Sequence, residues 1–258
     1  MCEHECQPEL TDNSHLKEHT TYKMRSPSLA AMTAQFFFPQ RHCLMCGAVC
    51  SEPGLCAVCA ARMASLPRCD ICAAFIDTTG KCSQCAEKRP LFIQTRAAAP
   101  YEGKLRDNLL DFKYLEKTWL RRPLSTLLIQ VYECFYRYIT ISAVVPVPLA
   151  PLKFKERGYN QSAMLAKLLA RELGLDYRPE LLKRVLETPP LAVYDGEHRR
   201  KLLKQAFAAL AAEGQTVLLV DDIYTSGATL NACTEALLLA GAHAVYGITV
   251  VAYDERKC

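Results

Sequence analysis

The stretch Val217-Leu-Leu-Val-Asp221-Asp222-Ile-Tyr-Thr-Ser-Gly-Ala-Thr-Leu230 joins an apolar run to two acids and then to a short loop rich in Thr, Ser and Gly. The run over 216–220 is typical of a central parallel strand that is buried on both faces. Helical residues follow from Ala228 to Ala240, and Gly241 comes directly after them. Because ligands bind at the carboxyl ends of strands in open α/β sheets, this strand–loop–helix unit predicts a ligand site.

The loop after the two acids has the composition of a phosphate site. A helix N-terminus offers unpaired N–H groups and the positive end of a dipole, and Gly227 allows close approach of a ligand. Asp221 and Asp222 would repel a phosphate, so we expect them to accept hydrogen bonds from sugar hydroxyls. A ribose 5-phosphate group would suit both parts of the segment, because its hydroxyls can bind the acids and its phosphate can bind the loop. The predicted phosphate-binding residues are Thr225, Ser226, Gly227, Ala228 and Thr229.

Two common phosphate motifs are absent from this segment. It lacks the Gly-Lys-Ser/Thr ending of a Walker A loop, and it is not the G-x-G-x-x-G dinucleotide fingerprint. The alternative interpretation is an ordinary strand that ends in a surface acidic pair before a capped helix.

Strands and helices alternate on the N-terminal side of this unit. The pattern becomes helical from about Ala97, with helical spacing over 105–115, 119–138 and 159–173, and Gly174 as a stop signal. Strands are predicted over 143–149 and 245–252. The fold class is therefore α/β, an open and mainly parallel twisted sheet flanked by helices.

An internal cysteine repeat precedes the large domain. Four C-x-x-C pairs form two units, and nine residues separate the pairs within each unit. Two such knuckles complete the closed tetrahedron of a structural zinc site. We predict two Zn²⁺ sites, although an interleaved pairing of the knuckles stays open. The predicted ligands are Cys43, Cys46, Cys56 and Cys59 for one ion, and Cys69, Cys72, Cys82 and Cys85 for the other.

Composition is that of a globular protein in a reducing compartment. The chain has 258 residues, 14 cysteines and a formal net charge of +4, and zinc-bound thiolates would bring that charge near zero. No apolar run reaches membrane-span length and the N-terminus lacks a secretory pattern, so we expect a cytoplasmic protein with no membrane partner. We predict a disordered extension over 1–35, a double zinc ribbon over 36–92 and an α/β domain over 97–258.

The chain resembles a known family at several separate motifs. The acid–phosphate segment resembles the phosphoribosyl pyrophosphate (PRPP) motif of type I phosphoribosyltransferases. Together with the cysteine repeat, residues 36–252 resemble the ComF family of competence-associated proteins. One departure is Leu203, where that family usually has Asn. The other matching segments are Tyr101-Glu-Gly103, Lys113-Tyr114, Val145-Pro-Val-Pro-Leu149, Arg157-Gly-Tyr-Asn-Gln161, Thr188-Pro-Pro190, and Arg200 with Ala206-Phe207.

The resemblance implies a type I phosphoribosyltransferase fold that binds PRPP with Mg²⁺, the ion being held largely by the ligand's own oxygens and by water. It places the pyrophosphate loop at 151–159, where we expect Lys155 and Arg157 to bind. Arg199, Arg200 and Lys201 are candidates to close over the site, and Lys113 with Tyr114 to cap it.

Three functions are consistent with these features. In the first, the protein transfers phosphoribosyl to an unknown acceptor, with Asp221, Asp222 and Arg157 as catalytic residues that stabilise an oxocarbenium-like ribose and its leaving group. The second is a non-catalytic PRPP or nucleotide sensor. The third is a DNA-uptake factor whose ribbons contact single-stranded DNA or a helicase.

Overall fold

The computed structural model describes residues 41–186 and 205–257, all of which belong to one compact unit. Several predictions fall outside these residues: the disordered extension over 1–35, the Thr188-Pro-Pro190 segment, the basic residues 199–201 and Leu203. The ribbon prediction is described from Arg41 onward.

The described residues form eight strands and seven α-helices, with short 3₁₀ turns between some of them. In chain order they are β1 (Arg41–His42), β2 (Val49–Cys50), α1 (Ala57–Ser65), α2 (Ser83–Glu87), β3 (Gln94–Pro100), α3 (Gly103–Tyr114), α4 (Arg121–Phe135), β4 (Ala143–Pro146), α5 (Pro151–Arg157), α6 (Gln161–Leu173), β5 (Leu182–Arg184), β6 (Phe207–Ala209), β7 (Thr216–Tyr224), α7 (Ala228–Leu239) and β8 (Ala244–Ala252).

The central sheet has four strands in the order β3-β8-β7-β4, and every neighbouring pair is parallel. Strand β7 lies inside the sheet, with Val145 of β4 opposite Leu219 and Thr249 of β8 opposite Asp221. Parallel pairing brings the carboxyl ends of these strands to one edge. The acids of β7 therefore lie at the edge where an open α/β sheet binds its ligands.

Alternating residues of β7 enter two apolar clusters on opposite faces of the sheet, because successive side chains of a strand point to opposite sides. Leu218 and Val220 pack with α4 and α6, while Val217 and Leu219 pack with α7. All four side chains are fully buried. The prediction of a strand buried on both faces is confirmed.

The structure corrects the prediction that helical character begins near Ala97. Residues Gln94–Pro100 form the edge strand β3, and Ala97 and Ala99 are fully buried in it. Alanine has low strand propensity, so this segment carries no strand pattern of its own. Its strand conformation comes from pairing with β8 and from burial under α4.

A second correction concerns the segment expected as a pyrophosphate loop. Residues Pro151–Arg157 form the short helix α5, with Pro151 at its first position and Gly158 in a left-handed conformation after its end. Proline at a helix start and glycine after a helix end are both favourable. The basic residues of this segment therefore lie on a helix rather than on an extended loop.

The cysteine repeat packs on the large domain. Its first half places Cys43, Leu44 and Leu55 in the cluster beneath α3 and α4, and its second half places Phe75 and Ile76 in the cluster beneath α7. The separate domains over 36–92 and 97–258 stay a prediction. Within the described residues, no helix combines the length and apolar character that a bilayer crossing requires.

Candidate functional site

Two acids at the carboxyl end of β7 form the centre of the site. Asp221 and Asp222 lie within the strand itself, which continues to Tyr224, rather than in the loop after it. Asp222 is only 7% exposed and Asp221 is partly buried. Since burying an unpaired charge is costly, each carboxylate needs a partner.

The partner of Asp222 is Lys113, near the C-terminal end of α3. Its Nζ lies 2.8 Å from Asp222 Oδ2, and both side chains are largely buried. Burial opposes the charge on Lys113, but attraction to Asp222 outweighs it and raises the Lys113 pKa. Lys113 is therefore charged at neutral pH and lies beside the acids of β7.

The partner of Asp221 is Ser162, in the first turn of α6. The hydroxyl of Ser162 donates to Asp221 Oδ1 at 2.8 Å, and the backbone N–H of Asp222 donates to the same oxygen at 2.9 Å. Burial and the neighbouring charge of Asp222 nevertheless raise the pKa of Asp221 to about 7. A carboxyl with this pKa exists in both protonation states near neutral pH.

One oxygen of each carboxylate remains uncommitted. Ser162 and the Asp222 amide occupy Oδ1 of Asp221, and Lys113 occupies Oδ2 of Asp222. Across the described residues, no hydrogen bond reaches Asp221 Oδ2 or Asp222 Oδ1. The strand thus offers two carboxylate acceptors in succession, which is the arrangement that a pair of hydroxyl groups requires.

The loop after β7 turns sharply into α7. Gly227 has φ +68° and directly precedes the helix, while Thr225 and Ser226 are exposed. In the described part of the chain, the N–H groups of Thr225, Ser226 and Gly227 donate to no backbone carbonyl. The loop and the helix N-terminus therefore present free donors next to the acids, as an anion site does.

Arg157, at the end of α5, lies near this centre. Its Nη1 donates to Gln161 Oε1 at 2.7 Å, and its guanidinium stacks 5.0 Å from the ring of Tyr114. Its positive charge partly opposes the rise in the Lys113 pKa that Asp222 causes. Lys155 is exposed on the same helix, and its binding role stays a prediction.

The start of α6 is fixed by Asn160. Its Oδ1 accepts from the N–H of Ser162 at 3.0 Å, and its Nδ2 donates to the carbonyl of Val147 after β4. Tyr159 extends this link by donating a hydrogen bond to the carbonyl of Phe112 in α3. This network holds Ser162 against Asp221. Sequence reasoning missed Ser162, although its place beside a helix cap was the available signal.

The cysteines form two separate clusters that follow the consecutive pairing. The four sulfur atoms of each cluster lie within 4.8 Å of one another, so the interleaved alternative is wrong. A zinc ion bound to four thiolates at about 2.3 Å would place the sulfurs about 3.8 Å apart. Cys46 and Cys56 are 3.8 Å apart, and Cys72 and Cys82 are 3.5 Å apart. Both donor sets fit Zn²⁺.

Backbone N–H groups donate hydrogen bonds to some of these sulfurs, among them Cys43 in the first cluster and Cys82 in the second. Burial opposes the Cys43 thiolate, but the N–H groups of Cys46, Cys56 and Met45 lower its pKa to about 6. In the second cluster, a hydrogen bond from Cys72 and nearby amides lower the pKa of Cys69 to about 4. Amide donors to sulfur stabilise the thiolate form that metal ions bind.

Comparison with known proteins gives a domain match and several relatives. The model of the phosphoribosyl transferase domain matches residues 160–258, which contain both acids and the loop. The chain is 32% identical to Competence protein F of Haemophilus influenzae over 137 residues, half of this chain and 60% of that protein. It is 26% identical to Competence protein ComFC of Bacillus subtilis over 161 residues, 58% of this chain and 60% of that protein. The chain is therefore similar to these competence proteins and carries a phosphoribosyl transferase domain.

A third relative has a different name. DNA utilization protein YhgH of Escherichia coli K12 is 28% identical over 165 residues, which are 62% of this chain and 72% of that protein. The match thus spans well under the full length of each of the three relatives. The predicted phosphoribosyltransferase fold with N-terminal cysteine ribbons is confirmed by the domain match, the parallel sheet and the two cysteine clusters.

Proposed function

We propose that this ComF-type chain binds PRPP, or a related ribose 5-phosphate ligand, at the carboxyl end of β7. One observation carries the proposal: the uncommitted oxygens of Asp221 and Asp222 lie directly before a loop with free N–H groups at a helix N-terminus. The oxygens suit the two ribose hydroxyls and the loop suits the 5-phosphate.

The surrounding residues have defined parts in this proposal. Lys113 holds the carboxylate of Asp222 and Ser162 holds that of Asp221. Each contact uses one carboxylate oxygen and leaves the other oxygen available to the ligand. The loop 225–229 receives the monoester. Arg157, with Lys155 on the same helix, faces the pyrophosphate of PRPP. Magnesium ions would neutralise the phosphates, bound mostly through the ligand's own oxygens and water.

The same arrangement would favour transfer of the phosphoribosyl group. When the bond between ribose C1 and the pyrophosphate oxygen breaks, positive charge develops on the ribose and negative charge on the leaving group. Asp221 and Asp222 would stabilise the first and Arg157 the second. A new bond from C1 to an acceptor atom completes the exchange, and pyrophosphate leaves with the electron pair.

Calorimetric titration with PRPP and Mg²⁺ tests the binding. We expect saturable binding by the wild-type protein and at least a hundredfold weaker binding by the Asp221→Asn/Asp222→Asn double variant. Asp176→Asn is the control, because Asp176 forms only a surface pair with Arg178. Equal affinity of the double variant and the wild type would contradict the proposal.

Turnover separates an enzyme from a sensor. Release of pyrophosphate from PRPP is measured with a panel of nucleobases and nucleosides as acceptors. An acceptor-dependent rate that Asp222→Asn abolishes supports a phosphoribosyltransferase. Tight binding with no release across the panel supports a non-catalytic PRPP sensor.

A role in DNA uptake is the second candidate, and the names of the relatives favour it. Two are named competence proteins and one a DNA utilization protein. In this function a cytoplasmic protein, with zinc in both cysteine clusters, would contact single-stranded DNA or a helicase. Binding of a labelled oligonucleotide should then weaken steeply with salt and on zinc chelation. Absent or salt-independent binding argues against direct DNA contact.

A further inference from the structure

Gln161 is the first residue of α6 and lies between two groups of the candidate site. It directly precedes Ser162, the partner of Asp221, and its Oε1 accepts a hydrogen bond from Arg157 Nη1 at 2.7 Å. Only 2% of Gln161 is exposed. Glutamine is mostly a surface residue, so its burial at this point needs an explanation.

The neighbouring guanidinium fixes the orientation of the Gln161 amide. A guanidinium has only donors, so the amide atom that faces Arg157 must be the oxygen. The nitrogen, Nε2, then occupies the other position. Nε2 is buried, and it has no hydrogen-bond partner among the residues that the structure describes. Because an unpaired buried donor is unfavourable, such a group in a native protein suggests a role.

Tyr159 lies near this amide but does not satisfy it. Burial raises the Tyr159 pKa and the Gln161 side chain opposes that rise, so the two side chains are close. The Tyr159 hydroxyl gives its own hydrogen to the carbonyl of Phe112, and the described contacts include no hydrogen bond from Nε2 to it. An amide nitrogen carries two hydrogens. At least one donor of Gln161 is therefore available to a ligand.

The two helices beside Nε2 differ in how firmly they are held. The start of α6 is capped, since Asn160 Oδ1 accepts from the N–H of Ser162 at 3.0 Å. Helix α5, in contrast, buries none of its side chains. It carries Arg157 at its last position, against Gln161 and the ring of Tyr114. A small outward displacement of α5 would therefore open Nε2 to a ligand oxygen and leave α6 in place.

Charge identifies the kind of ligand atom that fits beside Nε2. The described partners of Arg157 are the neutral side chains of Gln161 and Tyr114, and no carboxylate among the described residues forms an ion pair with it. A guanidinium has five N–H donors, so others remain beyond the bond to Gln161. An oxygen that meets both an amide donor and a guanidinium should be anionic. In PRPP, the pyrophosphate supplies such oxygens.

We propose that Gln161 binds the pyrophosphate of PRPP, with Nε2 donating to one of its oxygens and Oε1 orienting Arg157 toward the same anion. One amide thus has two tasks: its nitrogen contacts the ligand and its oxygen positions a cation. The ribose hydroxyls and the 5-phosphate are bound elsewhere, at the acids of β7 and at the loop 225–229. This role of Gln161 rests on the proposed PRPP site.

Calorimetric titration with two ligands, PRPP and ribose 5-phosphate, tests the role in the presence of Mg²⁺. Gln161→Glu keeps the length of the side chain and an acceptor for Arg157, but it replaces the donor by a second oxygen. Its PRPP affinity should fall at least about tenfold, as expected for a lost hydrogen bond to a charged group. Its affinity for ribose 5-phosphate, which has no pyrophosphate, should stay at the wild-type value. Gln130→Glu, the same change at an exposed position of α4, is the matched control.

The side-chain amide resonances of Gln161 give a readout that needs no folded variant. In ¹⁵N-labelled wild-type protein, PRPP should shift these resonances and ribose 5-phosphate should leave them where they are. Resonances that do not move with PRPP would overturn the contact between Nε2 and the pyrophosphate.

The two ligands also separate failure of this role from failure of the proposed function. If neither ligand binds to the wild-type protein, the PRPP site itself is wrong, and the role of Gln161 fails with it. If both bind and Gln161→Glu keeps wild-type PRPP affinity, only the role of Gln161 is refuted. An equal loss of affinity for both ligands would show that Gln161 merely supports the fold of the site, which also refutes it.

Discussion

Lys113 Nζ lies 2.8 Å from Asp222 Oδ2 and joins α3 to the carboxyl end of β7. The two side chains are 17% and 10% exposed, so this ion pair is mostly out of water. Asp221 directly precedes Asp222 in the strand, and although burial and the charge of Asp222 raise the Asp221 pKa, the charge of Lys113 partly offsets that rise. The lysine thus permits two adjacent carboxylates at one strand end, which would otherwise repel each other.

Lys113→Met should destabilise the protein and weaken ligand binding. Breaking a buried pair leaves one charge uncompensated, and we expect a loss of about 3 kcal/mol in the free energy of unfolding, the low end for buried pairs. Urea denaturation measures it. The control is Lys117→Met, because the Lys117–Asp111 pair is more exposed and should contribute less than about 1 kcal/mol. Similar losses of unfolding free energy in the two variants would contradict the claim that the buried Lys113–Asp222 pair contributes more to stability than the exposed Lys117–Asp111 pair.

Asp221 should make stability depend on pH. Its pKa is raised to about 7 in the folded protein against about 3.9 in the unfolded chain. Between these values the folded state holds the extra proton, so the contribution of Asp221 to stability falls as pH rises from about 4 to 7. The slope is at most about 1.4 kcal/mol per pH unit.

The measurement compares wild type with Asp221→Asn by urea denaturation at several pH values from 5 to 8. The asparagine keeps an oxygen for Ser162 and for the Asp222 amide but does not titrate. Relative to this variant, the wild type should lose stability as pH rises. A difference that stays constant with pH would refute the raised pKa.

Local sequence signals were sufficient for the centre of the site. The apolar run, the acids and the glycine after them predict β7, its loop and α7, because all three depend on neighbouring residues. Even here the acids lie inside the strand, since pairing of Ile223 and Tyr224 with β8 extends it beyond the apolar run.

Long-range contacts were the part that sequence could not supply. The pairing of Lys113 with Asp222 and of Ser162 with Asp221 depends on which helices meet at one sheet edge. Strand β3 was missed because its alanines carry no strand preference of their own. The choice between consecutive and interleaved knuckles likewise depends on packing, not on spacing.

Arg96→Met should loosen the second cysteine ribbon. The guanidinium donates to four backbone carbonyls of Cys69, Asp70, Cys72 and Thr95, and methionine would leave them buried without donors, at about 1–3 kcal/mol for each group that water cannot reach. We expect faster zinc loss from this ribbon and a lower melting temperature, by zinc release and calorimetry. Arg62→Met, at an exposed position, is the control. Unchanged zinc release would show that Arg96 does not hold the knuckle.

Gly227→Ala should abolish ribose 5-phosphate binding, while it should lower the free energy of unfolding only modestly. Its φ of +68° already disfavours a side chain, at about 1–2 kcal/mol, and the new Cβ would collide with the Tyr224 ring. Gly174→Ala is the matched control, because Gly174 has φ +66° but no atom within 4 Å of a Cβ. Both variants should therefore show the strain in urea denaturation. Only Gly227→Ala should lose ribose 5-phosphate binding in calorimetry, since only there must the loop move away from the tyrosine that supports it. Equal binding by the two variants would mean that the loop can shift without cost to the ligand.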